Sequence, residues 1–173
     1  MIENIKRLAL VSPCGKFRYR LGRKWDIDSV ARHLIHFVML NPSTADADID
    51  DPTIRKCMGF ADRLGFNEIR VTNLYAYRAT DPKDLARNGW QIGPDNDHWL
   101  SDVACDSHLT HGDEPVVLAW GANARGHLRA KQVVQMMQSL GAHLFTLHTL
   151  GDGTPAHPLM LPYSCRLTPY SQS

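Results

Sequence analysis

No stretch of this chain approaches the roughly 20 consecutive apolar residues that cross a bilayer. Its first residues also lack the apolar core of a secretory signal. No membrane association is expected, and the cytoplasm is the expected compartment. Only four cysteines occur among 173 residues, Cys14, Cys57, Cys105 and Cys165. They stand far apart with no CxxC pair, which argues against a local zinc or iron–sulfur motif and for reduced thiols. Nine histidines are present, yet none falls into HExxH or HxH. GxGxxG, GxxxxGK[ST] and GxSxG are all missing, so dinucleotide binding, P-loop phosphoryl transfer and a serine-hydrolase elbow have no support. The formal net charge of +1 excludes a strongly basic nucleic-acid binder but not one whose positive groups are locally gathered.

What the chain does have is a series of short apolar runs, each ending abruptly in polar residues. Residues 33–40, 68–74, 115–120 and 143–148 read as strands. The continuity of the first, broken only by His36, fits a strand covered on both faces. Helical spacing follows from Pro52, where Asp51 is a natural N-cap and Gly65 a stop. It recurs at 97–108 and at 128–140, and Asp81-Pro82 opens a shorter helix. Near the N-terminus, 6–11 and 16–25 form an expected hairpin around Ser12-Pro13-Cys14-Gly15, with Phe17, Tyr19 and Leu21 alternating against Arg18, Arg20 and Gly22.

Four apolar strands alternating with helices imply right-handed crossovers and a parallel sheet with helices on both faces. The expected fold is therefore α/β: a single-domain, three-layer α/β/α sandwich over residues 1–173. Its central sheet is mainly four-stranded and parallel, and the N-terminal antiparallel hairpin extends one edge.

In such sheets ligands bind beyond the carboxyl ends of the strands. Those ends carry Asn41-Pro42-Ser43-Thr44, Asn73 through Tyr75 to Arg78, Gly121 with Asn123, and the segment leading to His157. Each has an ordinary reading beside the functional one. Asn-Pro is common turn punctuation, but a carboxamide also offers the donor and acceptor that read a heterocycle edge. Asp46, Asp48, Asp50 and Asp51 lack the spacing of an EF-hand loop. They read as solvated loop charges, with Asp46 the one placed to activate water. His157 is the histidine best placed to stabilise an anion. Arg18, Arg20, Arg23, Arg55, Arg78, Arg125 and Arg129 supply positive charge, among which Arg55 and Arg125 are the candidate phosphate contacts.

Certain blocks carry a resemblance. They are Phe37 through Leu40-Asn41-Pro42-Ser43-Thr44-Ala45-Asp46, Asp51-Pro52-Thr53-Ile54-Arg55-Lys56-Cys57, and Asn73-Leu74-Tyr75-Ala76-Tyr77-Arg78-Ala79-Thr80. Gly93-Pro94-Asp95-Asn96-Asp97, Ala119-Trp120-Gly121 and His157-Pro158-Leu159 complete the set. From about Cys14 to Tyr163 they resemble a bacterial and phage family known as a domain of unknown function. More distantly, their order is similar to that of the uracil-DNA glycosylase superfamily, particularly its mismatch-specific branch.

That likeness implies a water-holding loop at Asn41-Pro42, a base-reading carboxamide at Asn73 and an anion-stabilising imidazole at His157. It departs from the pattern at Leu159, where a phosphate-touching serine is expected, at Ser43, where some members place an aromatic base-stacker, and at Met39 or Leu40, where a glycine is usual. The resulting expectation is hydrolysis of an N-glycosidic bond, with Asn41, His157 and Asp46 catalytic. Pro42, Ser43, Thr44, Asn73, Tyr75, Arg78, Gly121 and Asn123 would contact the substrate. Nucleic acid or a nucleotide is the expected partner, and no metal or organic cofactor is required. The alternatives are a non-catalytic nucleic-acid or nucleotide binding module and a metal-dependent nucleotide hydrolase.

Overall fold

The computed structural model describes residues 2–26, 33–43 and 49–171; Thr44, Asp46 and Asp48 lie outside them. Among the described residues, seven strands, β1 (Lys6–Val11), β2 (Arg18–Lys24), β3 (Leu34–Met39), β4 (Glu68–Asn73), β5 (Val116–Leu118), β6 (Leu144–Thr146) and β7 (Thr168–Pro169), form one mixed sheet. Its order is β1-β2-β4-β3-β5-β6-β7. Neighbours within β4-β3-β5-β6 all pair in parallel. β1 and β2 form an antiparallel hairpin whose second strand docks antiparallel on β4. β7 adds an antiparallel strand at the other edge. No strand was expected from the pattern of that polar C-terminal segment. Pro169 is tolerated there because an edge strand need not use every amide in the ladder.

Among the described residues, four helices accompany the sheet: α1 (Pro52–Arg63), α2 (Pro82–Arg87), α3 (Asn96–Leu109) and α4 (Leu128–Ser139). β3 runs through the middle, and all six of its residues are buried. Its alternation divides the core. Ile35, Phe37 and Met39 join Ile54, Cys57 and Phe60 of α1, whereas Val38 packs with Leu100 and Val103 of α3 and Val133 and Met137 of α4.

α1 begins where its sequence demands. The Asp51 carboxylate accepts the Ile54 amide at 2.8 Å, and Pro52 occupies the first helical position, where a missing N–H costs nothing. The Asp51 side chain also accepts the Ser43 hydroxyl at 2.9 Å, so the cap of α1 fastens the loop that leaves β3.

The simple alternation expected in β2 fails at one residue. Leu10 pairs with Arg20, but Val11 pairs with Arg18, so Tyr19 is an extra residue without a partner on β1. Such a bulge reverses which face the following side chain takes. Arg20 lies over Trp99 of α3 at 4.8 Å from the ring centroid. Arg18 turns the other way, toward α1, and is only 4% exposed.

Replacing Asp51 with Ala is expected to lower the free energy of unfolding by about 1 kcal/mol through loss of the cap, measured by urea denaturation. Asp51→Asn, which keeps an acceptor, should retain most of it.

Candidate functional site

The loops leaving the parallel strands meet. A cavity of about 170 Å³ is lined by Asn41 and Ser43 from the loop after β3, Asp51 and Thr53 at the start of α1, and Asn73 at the end of β4. Asn123 and His157 complete it from the far side, Arg18 enters from β2, and Trp120 supplies an apolar wall. This space is smaller than the ~300–1,000 Å³ pockets of drug-sized ligands, and suits one small planar ring.

Asn41 is held rigidly. Its Nδ2 donates to the Ala79 carbonyl at 2.7 Å and to the Pro42 carbonyl at 3.0 Å, while the Ala79 amide returns a bond to Pro42. The loops after β3 and β4 are thereby joined, and the Asn41 oxygen is the part of the group left to accept from a ligand or a water. Asn73 is 2% exposed, lines the cavity, and its carboxamide has no hydrogen-bond partner among the described residues. Its main chain is held instead. Asn96 donates to the Asn73 and Leu74 carbonyls at 2.9 and 3.1 Å, and Arg129 donates to the Leu74 carbonyl at 3.0 Å. The Arg129 guanidinium also pairs with Asp97.

His157 precedes a short 3-10 turn, Pro158–Met160, and its Nδ1 accepts the Leu159 amide at 3.3 Å. With Nδ1 an acceptor, the ring proton belongs on Nε2. Burial pushes this imidazole below its usual pKa, and the Asp51 charge opposes that only in part. A neutral ring with an Nε2–H donor is the result. Gly121 does not line the cavity; it makes room for this histidine. Its φ is +80°, and a Cβ there would lie 2.8 Å from the His157 Cβ. The Gly121 amide also donates to the Pro155 carbonyl at 3.0 Å, which fixes the loop carrying His157.

Other candidates are engaged elsewhere. The Tyr75 hydroxyl lies 3.2 Å from His127 Nδ1, and its ring packs against Trp90. Arg78 donates to the Gly15 carbonyl at 3.2 Å and closes the hairpin turn onto the loop after β4. Arg55 donates to the Asp50 carbonyl, and Arg125 pairs with Asp152. None of these four lines the cavity. Pro42 is buried beside it and contributes its carbonyl to the Asn41 clamp. Thr44 and Asp46 are outside the described residues.

Arg18, Asp51, Thr53 and Trp120 are lining residues that the sequence reading did not single out as substrate contacts. Asp51 was read chiefly as a cap, and Trp120 as either a base-stacker or core, because a side chain's second role depends on what faces it. Arg18 was hidden by the bulge.

Among the described residues, one group of His, Asp and Glu lies within 4.8 Å, namely His36, Asp106 and Glu114. It sits at the opposite end of the sheet, where β5 begins. Arg70 donates to Asp106 at 2.9 Å there, so that carboxylate already faces a cation.

The fold and cavity define a mixed α/β protein with a polar, one-ring cavity at the carboxyl ends of its parallel strands. Residues 18–159 match the family described as protein of unknown function (DUF1643), and the chain belongs to that family. No curated protein and no solved structure matches it. Among the described residues, no helix is long and apolar enough to cross a membrane.

Gly121→Ala is expected to cost about 1 kcal/mol or more because φ is positive, and to move the His157 ring resonances in imidazole NMR spectra. Acid should weaken the fold. Burial depresses the pKa of both His157 and the fully enclosed His36, so the unfolded chain takes up protons first. Stability should be complete above about pH 6.5, the unperturbed imidazole value, and fall progressively below it until the folded rings protonate. Thermal melts from pH 7.5 to 5 check this, and His157→Gln should show a shallower decline.

Proposed function

We propose that this protein is a nucleobase-binding hydrolase of the glycosylase type, built as a three-layer α/β/α sandwich, which cleaves the N-glycosidic bond of a base in nucleic acid or a nucleotide. One observation carries the reading. An immobilised carboxamide, an open carboxamide and a neutral imidazole from three separate strand ends line a single cavity of one-ring size. The division of the core supports the layered arrangement, since α1 residues pack with one face of β3 while α3 and α4 residues pack with the other.

The chemistry follows from what each group has to offer. Cleavage leaves positive character on the sugar and an electron pair on the departing base nitrogen, spread onto the ring oxygens. Asn73, with donor and acceptor both open, reads the edge of the base. Asn41 presents its oxygen to a water that forms the new bond to the sugar carbon. Asp46 is the carboxylate assigned to take the proton from that water. His157 donates from Nε2 to the base oxygen on which negative charge develops. A neutral donor suits this role, because it strengthens its bond as charge appears rather than binding the ground state equally well. Entry of a base into so small a space requires it to leave any stack or duplex first.

The test is release of base and formation of abasic sites from oligonucleotides containing uracil, hypoxanthine or mismatched thymine. His157→Ala and Asn41→Ala are each expected to lower the cleavage rate about a hundredfold to a thousandfold, with circular dichroism showing the fold retained. Saturable binding of these oligonucleotides without product would replace this reading with a binding module. Activity abolished by a chelator and restored by a divalent ion would replace it with a metal-dependent hydrolase.

A further inference from the structure

A larger hollow adjoins the cavity. It has a volume of about 780 Å³ and lies between α4, which contributes Lys131 and Gln135, and the loop after β6, which contributes Thr149 and Asp152. Trp120 lines both spaces. The 3-10 turn Ala122–Ala124 leads from one to the other, since Asn123 lines the cavity while Ala124 and Arg125 line the groove. The loop carrying His157 does the same. Pro155 lines the groove, and His157, two residues on, lines the cavity.

A base held in the cavity stays attached to its sugar until the glycosidic bond breaks. A space of one-ring size leaves the sugar and its phosphates outside, where the groove begins. The groove falls within the ~300–1,000 Å³ range of drug-sized sites, more than a single phosphate fills. Its charged side chains are exposed, namely Lys131 and the ion pair of Arg125 with Asp152. An exposed ion pair contributes little to stability, so exchanging Asp152 for a phosphate costs Arg125 little. The Asp152 carboxylate keeps its bond from the Thr154 amide at 3.1 Å. Gln135 and Thr149 offer neutral donors beside these groups. A cleft walled on both sides accepts one backbone, whereas a duplex would meet only its rim.

We propose that this groove carries the sugar–phosphate backbone of a single-stranded nucleic acid whose target base occupies the cavity, with Lys131 and Arg125 contacting its phosphates. This inference rests on the base-binding reading above and names the substrate as a strand rather than a free nucleotide. Phosphate contacts position a strand without reading its sequence, so selection falls to the cavity. A single strand also spares the cost of unpairing the base before it enters.

Fluorescence anisotropy with an end-labelled single-stranded DNA decamer containing one uracil tests this, with binding of free uracil followed by NMR. The native protein is expected to bind the decamer at least about tenfold more tightly than deoxyuridine monophosphate. Its log affinity should fall against log salt with a slope of about −1.4, or ~0.7 for each of two phosphates. Lys131→Gln and Arg125→Gln should each remove about 0.7 from that slope. Arg87→Gln, at an exposed arginine of α2 paired with Asp84, should leave it unchanged. The same decamer in RNA distinguishes the sugars, the tighter strand being the substrate. The inference fails, and the base-binding reading stands, if uracil binds but the decamer binds no better than the nucleotide. A slope identical in native protein and both variants, or a duplex bound as tightly as the strand, is equally decisive against it. Failure of the native protein to bind either uracil or the decamer overturns both.

Discussion

The Asn41 carboxamide clamps the Pro42 and Ala79 carbonyls, and most of the site's geometry depends on that clamp. Loops beyond the end of a parallel ladder lose the backbone partners that held the strands, and their polar groups must find others. One side chain here satisfies two carbonyls from different loops, so the segments after β3 and β4 move together. Asn96 and Arg129 do the same for the carbonyls at the end of β4. The Asp51 cap holds the approach to α1. Residues that face the ligand space are thus supported by others that face the protein.

Electrostatics separates this cavity from an ordinary polar cleft. Exposed arginines are numerous, but those at Arg55 and Arg125 bond to neighbouring loop groups in water, where exposed ion pairs contribute little. Arg18 is buried, and a charge shielded from water acts more strongly on anything beside it. Burial also keeps His157 neutral. Burial therefore preserves one charge and suppresses another, because a guanidinium remains protonated over shifts that leave an imidazole uncharged.

Much of the fold was readable from local pattern. β1 begins and ends at Lys6 and Val11, the bounds expected for the first strand of the hairpin, and α1 opens at Pro52 behind Asp51. The four apolar runs became the four parallel strands. β7 was missed because a two-residue edge strand containing proline has no period to detect. The site was legible in its outline. Asn41, Ser43, Asn73, Asn123 and His157 were singled out as polar residues at strand ends, and all five line the cavity. Tyr75 was attractive for the same reason but points to His127, two residues beyond Asn73 where the chain has already left the ladder. Polar residues near a strand end share a rim, yet only side-chain direction decides which of them share a cavity.

By itself the amino-acid sequence determined the order of the first six strands and the helices, the cap of α1 and the rim on which polar residues gather. Hydrophobic period, proline and capping chemistry act over a few residues and are written locally. Tertiary structure alone decided the partners. It made Asn41 a clamp rather than a turn residue, made Gly121 the space that His157 occupies, and turned Arg18 inward through a single unpaired residue. Those outcomes depend on atoms brought together from distant parts of the chain, and a one-residue change in register is enough to exchange a surface charge for a buried one.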